Sequence, residues 1–399
     1  MRSRLLALVL LVAAVAGTGS AAPPAARPPA PLAPPTQAAT EAPVAALPFP
    51  APRSGVLPVR TRRQLQAVLD GVVADWRQYR QASLGAPGIT AAVVSAAGSW
   101  SGAAGSSGTG GSGDRLVPEA MMAIASITKT FTAAEVVTLA GRGLIDLDQP
   151  ASVYLNHPLL ARRPTVRQLL SMTSGIPNFL TQRCLSAMLA APTHRWTVQR
   201  ALTYVDEPPG EPGKKFDYSN SNYALLGLLI EKVTGLPYAA ALRRDLLPGT
   251  DRWRLAIQDD EAPTPPMAAP LESARLRPDG RFLPNRAVAS AALSAGSIAA
   301  DATTLARWGY DLYGGRRLPP EAVSQMVTVE RGQIYGLGTI VEQPITPDSG
   351  VGHGGDIVGY SSSLLVIPTR QLAVAVLVRN SIDAHHIADE LRDIIISNH

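Results

Sequence analysis

The chain holds four lysines, Lys129, Lys214, Lys215 and Lys232, against 32 arginines (36 basic residues minus 4). A guanidinium keeps its proton inside a protein, whereas an ammonium gives it up when buried or set beside another cation. A lysine in an arginine-rich chain is therefore a candidate base. Lys129 alone among the four has a serine three residues before it, in Ala125-Ser126-Ile127-Thr128-Lys129, and an apolar run to Ala140 follows. Helical spacing of three puts the amine one turn from the hydroxyl on the same face. At a helix start, unpaired N–H groups and the positive dipole end favour negative charge on the Ser126 oxygen. The pair reads as nucleophile and base. Taken alone, an S-x-x-K reads more readily as an N-capping serine with a surface lysine.

A nucleophilic serine also needs a proton donor for the leaving group and two donors for the oxyanion. The G-x-S-x-G elbow of Ser-His-Asp hydrolases occurs nowhere in the chain. Two other short motifs fit the need. Tyr218-Ser219-Asn220 follows a Pro212-Gly213 turn, so both outer side chains are expected to project from a loop. Gly352-His353-Gly354-Gly355 comes just before a pair of strands, where glycines let a substrate approach the backbone. Each alone has a plainer reading, Tyr218 as a half-buried aromatic and His353 as a turn histidine.

Hydrophobic periodicity supplies the elements that must position these groups. A helix is expected over Thr61–Arg80, then strands over Ile89–Ser95 and Ser99–Ala104 entering a Gly/Ser loop, Gly105–Gly113. That loop contains G-x-G-x-x-G, but it runs into Asp114–Pro118 rather than opening a helix, so phosphate binding is rejected. Further helices are expected over Ala224–Gly235 and Tyr238–Leu247. Strands over Ser362–Ile367 and Leu372–Val378 form a hairpin, and a helix over Asp383–Ser397 covers them. The pattern is an α/β domain whose sheet comes from both chain ends, about 57–145 and 296–399, around a helical part, about 146–295.

Met1–Ala21 reads as a secretory signal, with Arg2 and Arg4 ahead of an apolar core and small residues at its end. Residues 22–56, crowded with Pro and Ala, read as a disordered linker, and 57–399 as the folded body. The expectation is a secreted, extracytoplasmic protein with no membrane span after signal cleavage. Cys184 is the only cysteine and is read as packing. The net charge of +5, without any long basic run, excludes a nucleic-acid partner.

In this order, S-x-x-K, Y-x-N and H-x-G resemble the serine penicillin-recognising family, most closely the branch holding class C β-lactamases and D-alanyl-D-alanine carboxypeptidases. Leu169–Phe179 (LLSMTSGIPNF), Pro212–Gly235 and Ser294–Trp308 (SAGSIAADATTLARW) resemble other segments of that family. The resemblance implies a β-lactamase/transpeptidase-like α/β (α+β) fold, an antiparallel sheet flanked by helices with a helical insert subdomain. It also implies an acyl-enzyme on Ser126, with base work shared between Lys129 and Tyr218, and His353 relaying a proton and keeping the Tyr218 phenol acidic. Asn220 would hold the substrate amide and orient Lys129, Gly355 would face the substrate, and the N–H groups of Ser126 and Asp356 would form the oxyanion hole. No metal or organic cofactor is implied.

Two departures stand out. Gly354 lacks the hydroxyl that relatives use toward a terminal carboxylate, and either Asp356 sets a negative charge beside it or Asp356 points away and another group, such as an arginine, binds the carboxylate. Met172 replaces a histidine, which removes a polar contact at the rim. The leading expectation is a D-alanyl-D-alanine carboxypeptidase-type peptidase acting on peptidoglycan-like peptides. A carboxylesterase or amidase, a β-lactamase and a non-catalytic binding protein are the alternatives. The partner is accordingly a small peptide, ester or β-lactam substrate.

Overall fold

The computed structural model describes residues 39–41, 47–52, 55–79, 87–108, 114–249, 253–259, 261–270, 280–330, 332–380 and 382–398. The first strand, β1 (Ala39–Glu41), is followed by α1 (Val59–Tyr79), the hairpin β2 (Gly88–Ser95) and β3 (Gly98–Gly105), the short β4 (Met122–Ala123) and α2 (Thr128–Gly141). A helical stretch comes next: α3 (Val166–Leu170), α4 (Gln182–Ala190), α5 (Val198–Leu202), α6 (Asn220–Thr234) and α7 (Tyr238–Asp245). Then come β5 (Leu255–Ile257), α8 (Arg286–Gly296), β6 (Ile298–Ala300), α9 (Ala302–Tyr313), α10 (Pro320–Val327), β7 (Thr328–Glu330) and β8 (Ile340–Val341). The chain closes with β9 (Val351–Ile357), β10 (Tyr360–Ile367), β11 (Leu372–Val378) and α11 (Ala384–Ser397).

The main sheet has the order β3-β2-β11-β10-β9-β8, with every pairing antiparallel. Its central strands are covered on both faces, which is why β11 reads as the unbroken apolar run LAVAVLV. Side chains alternate between two cores. Ala92, Val94, Leu364, Val366, Ala373 and Ala375 face the larger core, which also holds Phe131 and Trp308. Ile89, Ala91, Val93, Leu365, Val374 and Val376 face a second core closed by Leu65 and Leu69 of α1 and Ile387 and Leu391 of α11. The first and last helices thus cover one face, and the middle of the chain builds the other.

Inside the larger core, α2 is buried around nearly its whole circumference. A helix so placed must satisfy its polar groups internally. Thr130 Oγ1 accepts from Trp308 Nε1 at 2.9 Å, Thr132 Oγ1 donates to the Ser294 carbonyl at 2.6 Å, and Thr128 Oγ1 accepts from the Ile298 N–H at 3.1 Å. These bonds tie α2 to α8, β6 and α9 at fixed depth.

Two boundaries differ from expectation. The folded body begins before residue 57: Phe49 is buried edge-to-face on Tyr310, whose hydroxyl donates to the Pro50 carbonyl, and the Phe49 N–H donates to the Gly314 carbonyl. Leu47 and Phe49 are the first bulky apolar residues after the Pro/Ala stretch, so burying them pulls the end of the linker onto the domain. Second, α6 starts at Asn220 rather than Ala224, so Asn220 stands on a helix and only Tyr218 on the loop. Cys184 is buried, and burial raises its thiol pKa to about 11. The signal-peptide stretch 1–21, and residues 109–113 of the glycine loop, lie outside the described residues.

Candidate active site

Ser126 is placed by the small sheet β4-β6-β5. Met122 and Ala123 pair with Ala300 and Ala299, and the Ile124 N–H donates to the Ile298 carbonyl at 2.9 Å. The chain then leaves the strand through Ala125 at φ +47°, a left-handed conformation costly for a residue with a Cβ. A 3-10 turn, Ala125–Ile127, runs directly into α2. The N-cap of α2 is Ile127 and no side chain caps it, so Ser126 is not there as a capping residue.

Lys129 is fully buried, and its Nζ lies 2.9 Å from Ser126 Oγ, 2.8 Å from Asn220 Oδ1 and 2.7 Å from the Ala295 carbonyl. Two of these partners can only accept. The Asn220 amide is fixed in orientation because its Nδ2 donates to Asn178 Oδ1 at 3.2 Å, leaving Oδ1 for the lysine. A neutral amine has two N–H bonds and one lone pair. In its neutral form, with both N–H bonds spent on Asn220 and Ala295, the amine turns its lone pair to the Ser126 hydroxyl. Burial also drives the Lys129 pKa well below the usual 10.5, in the same direction.

Asn178 and Ala295 were not among the expected site residues. Asn178 sits in the Leu169–Phe179 segment, and its Oδ1 also accepts from the Asn220 N–H at 3.1 Å. Ala295 lies at the end of α8 just after Leu293, whose φ of 26° and ψ of −109° break the helix. The kink falls two residues before the carbonyl that Lys129 uses.

Tyr218 stands beside this pair, with Lys129 Nζ 5.1 Å from its ring centre. Burial pushes its phenol pKa up, a hydrogen bond with Ser126 pulls it back and the Asp356 charge raises it again, for a net upward shift. The resting phenol is therefore protonated and suited to donate a proton rather than to take one.

His353 corrects an expectation. Its Nδ1 lies 2.5 Å from the Gly354 carbonyl, which can only accept, so Nδ1 carries the proton. Nε2 then accepts from the Tyr335 hydroxyl at 2.9 Å. Burial above all pushes the imidazole pKa down to about 3. His353 is thus neutral, its nitrogens are both committed, and it neither relays a proton to Tyr218 nor keeps that phenol acidic. It anchors β9 to Tyr335, a residue in an irregular loop that no motif marks. The ring of Tyr335 in turn meets Tyr218 edge-on, centres 6.0 Å apart.

Met172 likewise is not at the rim. It is fully buried at φ +61°, and its sulfur accepts from the Ser219 N–H and Asn222 Nδ2, both at 3.5 Å. It supports the loop that carries Tyr218 from beneath.

Across from Ser126 lies β9. A Cβ on Gly355 would stand 3.0 Å from the Ser126 nitrogen and closer still to the Ile124 carbonyl, so only glycine lets the strand come this near the nucleophile. β8 pairs with β9 only at Val351 and Gly352. Among the described residues, 353–357 therefore has a ladder partner on one side, β10, and an open edge on the other. Asp356 is exposed on that stretch. No group of three or more His, Cys, Asp or Glu among the described residues is arranged to hold a metal ion.

Residues 70–394 match the family model described as Beta-lactamase. The chain belongs to that family. Among curated relatives of this Beta-lactamase family member, "Protein flp" of Staphylococcus aureus (strain MW2) is 34% identical over 146 residues, 35% of this chain and 27% of that protein. "Penicillin-binding protein 4*" of Bacillus subtilis (strain 168) is 26% identical over 137 residues, 33% of this chain and 29% of that protein. The chain thus matches little more than a quarter of these relatives' length. Solved structures align over far more. The D-stereospecific amidohydrolase from Streptomyces sp. superposes with a TM-score of 0.68 at 25% identity, over 85% of this chain and 99% of that one. The D-amino acid amidase from Ochrobactrum anthropi SV3 reaches 0.70 at 21%, with the same coverage, and bears on the fold alone. The fold is the β-lactamase/transpeptidase type, and the family together with the amidohydrolase neighbour supports a serine hydrolase.

Proposed function

We propose that this protein hydrolyses amide bonds through an acyl-enzyme on Ser126, in the manner of a D-alanyl-D-alanine carboxypeptidase acting on small peptides. The observation that carries the reading is the Lys129 amine, buried, with two acceptors taking its N–H bonds and its third position on the serine hydroxyl. Ser126 Oγ attacks the substrate carbonyl carbon while its proton passes to Lys129 Nζ. The C–N bond breaks, the departing amine takes the Tyr218 proton, and the proton held on Lys129 restores the phenol. Water then attacks the ester and releases the acid by the reverse relay. The N–H groups of Ser126 and Asp356 are assigned to the oxyanion, each such donor being worth roughly 3 kcal/mol in other enzymes.

A second reading, an amidase or carboxylesterase of the same fold, is favoured by Gly354, which brings no hydroxyl for a terminal carboxylate. The likeness to a D-stereospecific amidohydrolase over nearly that protein's whole length points the same way. Export by Met1–Ala21 and contact with peptidoglycan remain proposals read from the sequence. Comparing kcat/KM for an acyl-D-Ala-D-Ala peptide, its C-terminal amide, a p-nitrophenyl ester and nitrocefin ranks the classes. Faster peptide than amide turnover supports the carboxypeptidase type, the reverse order supports the amidase, and no turnover of any contradicts both.

A further inference from the structure

Gly354 is vacant for a reason visible in the structure. A Cβ built there would fall on the imidazole of His385, against Nε2 and Cε1. His385 is the second residue of α11, and its Nδ1 lies 3.1 Å from Ser363 Oγ, on the residue that pairs with Gly354 across β10. The hydroxyl thus holds the ring over Gly354, while Nε2 has no hydrogen-bond partner among the described residues and the side chain is exposed. Asp356, two residues along β9 and also exposed, projects to the same face. His353 and Gly355 point to the opposite face, toward Ser126.

We infer that His385 and Asp356 form a specificity subsite that receives a cationic or neutral amide side chain of the substrate and rejects a carboxylate side chain. The inference rests on the proposed hydrolase function. A peptide laid along the open edge at 353–357 adds a strand, and its side chains alternate between the two faces of the sheet. The residue whose carbonyl reaches Ser126 presents to the Ser126 face. Its neighbours on either side of the scissile bond present to the face of His385 and Asp356. There an ammonium meets the Asp356 carboxylate, an amide meets both groups, and a carboxylate meets like charge.

The test uses the full chain and matched acyl-D-peptide amides in which the residue after, or in a second series before, the reacting one is lysine, glutamine, norleucine or glutamate. Ratios of kcat/KM are read, since these do not depend on the folded fraction of a variant. Wild type is expected to favour lysine over glutamate about tenfold or more in one series, and Asp356→Asn to bring that ratio within about threefold. His385→Ala is expected to erase most of the glutamine-over-norleucine preference, and His385→Gln, which keeps a donor and an acceptor, to restore it. Labelling of wild-type Ser126 by a fluorophosphonate with all ratios unchanged in the variants overturns this inference alone. Absence of labelling overturns the hydrolase reading and the inference with it.

Discussion

The two faces of β9 differ in kind. On the Ser126 side, the polar side chains around the nucleophile are locked: Lys129 by three partners, Asn220 by Asn178, and His353 between Tyr335 and its own neighbour's carbonyl. On the other side, Asp356 and His385 are exposed, with one hydrogen bond from Ser363 steadying the histidine. Burial shifts pKa values strongly on the first face, as Lys129, Tyr218 and His353 show. Water screens the second. Chemistry is thereby set where solvent is excluded, and selection of substrate is left to groups that can change without disturbing it.

The sharpest way to break that contrast is at Lys129. Replacing it by arginine fixes a positive charge there and removes the lone pair, and the rate of amide hydrolysis is expected to fall by about 10³-fold or more, with a melting curve confirming that the variant is folded. Tyr218→Phe comes next. With an amide substrate, whose amine must be protonated to leave, a loss of about 10²-fold or more is expected. A p-nitrophenyl ester, which leaves as a stable anion, should lose far less. Equal losses with both substrates would count against Tyr218 as the proton donor.

Smaller effects follow further from the nucleophile. Tyr335→Phe removes the donor to His353 Nε2, a bond worth about 1 kcal/mol, so a rate change under about tenfold is expected. The same variant sharpens the reading of His353. In wild type its ring, with a pKa near 3, should stay neutral by NMR through the mildly acidic range, and in the variant protonation should move to higher pH. Asp356→Asn lies at the lower end. It acts on Tyr218 only through its charge, and a change of a few-fold in the hydrolysis of an uncharged ester, reduced by added salt, is expected.

The locked face was legible in part. Ser126, Lys129, Tyr218 and Asn220 announce themselves by short spacing, and the structure brings all four together. The alternating and continuous apolar runs gave β2, β3, β10, β11 and α11 to within two residues, because burial on one or both faces writes itself into local pattern. What could not be read was long-range. Ala295 acts through a backbone carbonyl, which no side-chain type reveals. Tyr335 lies on a loop with no periodicity, and His385 joins the site from a helix whose pattern reports only its buried stripe. His353 was placed correctly near the site but given a role that its hydrogen bonds exclude, since tautomer and partner depend on tertiary neighbours.

The central claim is that Lys129 is a neutral base for Ser126. The most direct test is the rate of fluorophosphonate labelling as a function of pH, with the adduct located by mass spectrometry. The account predicts labelling on Ser126 that rises with pH as Lys129 loses its proton, with a midpoint well below 10.5, and no such labelling in Lys129→Arg. Labelling of Lys129→Arg at the wild-type rate, or an adduct on another residue, would contradict it.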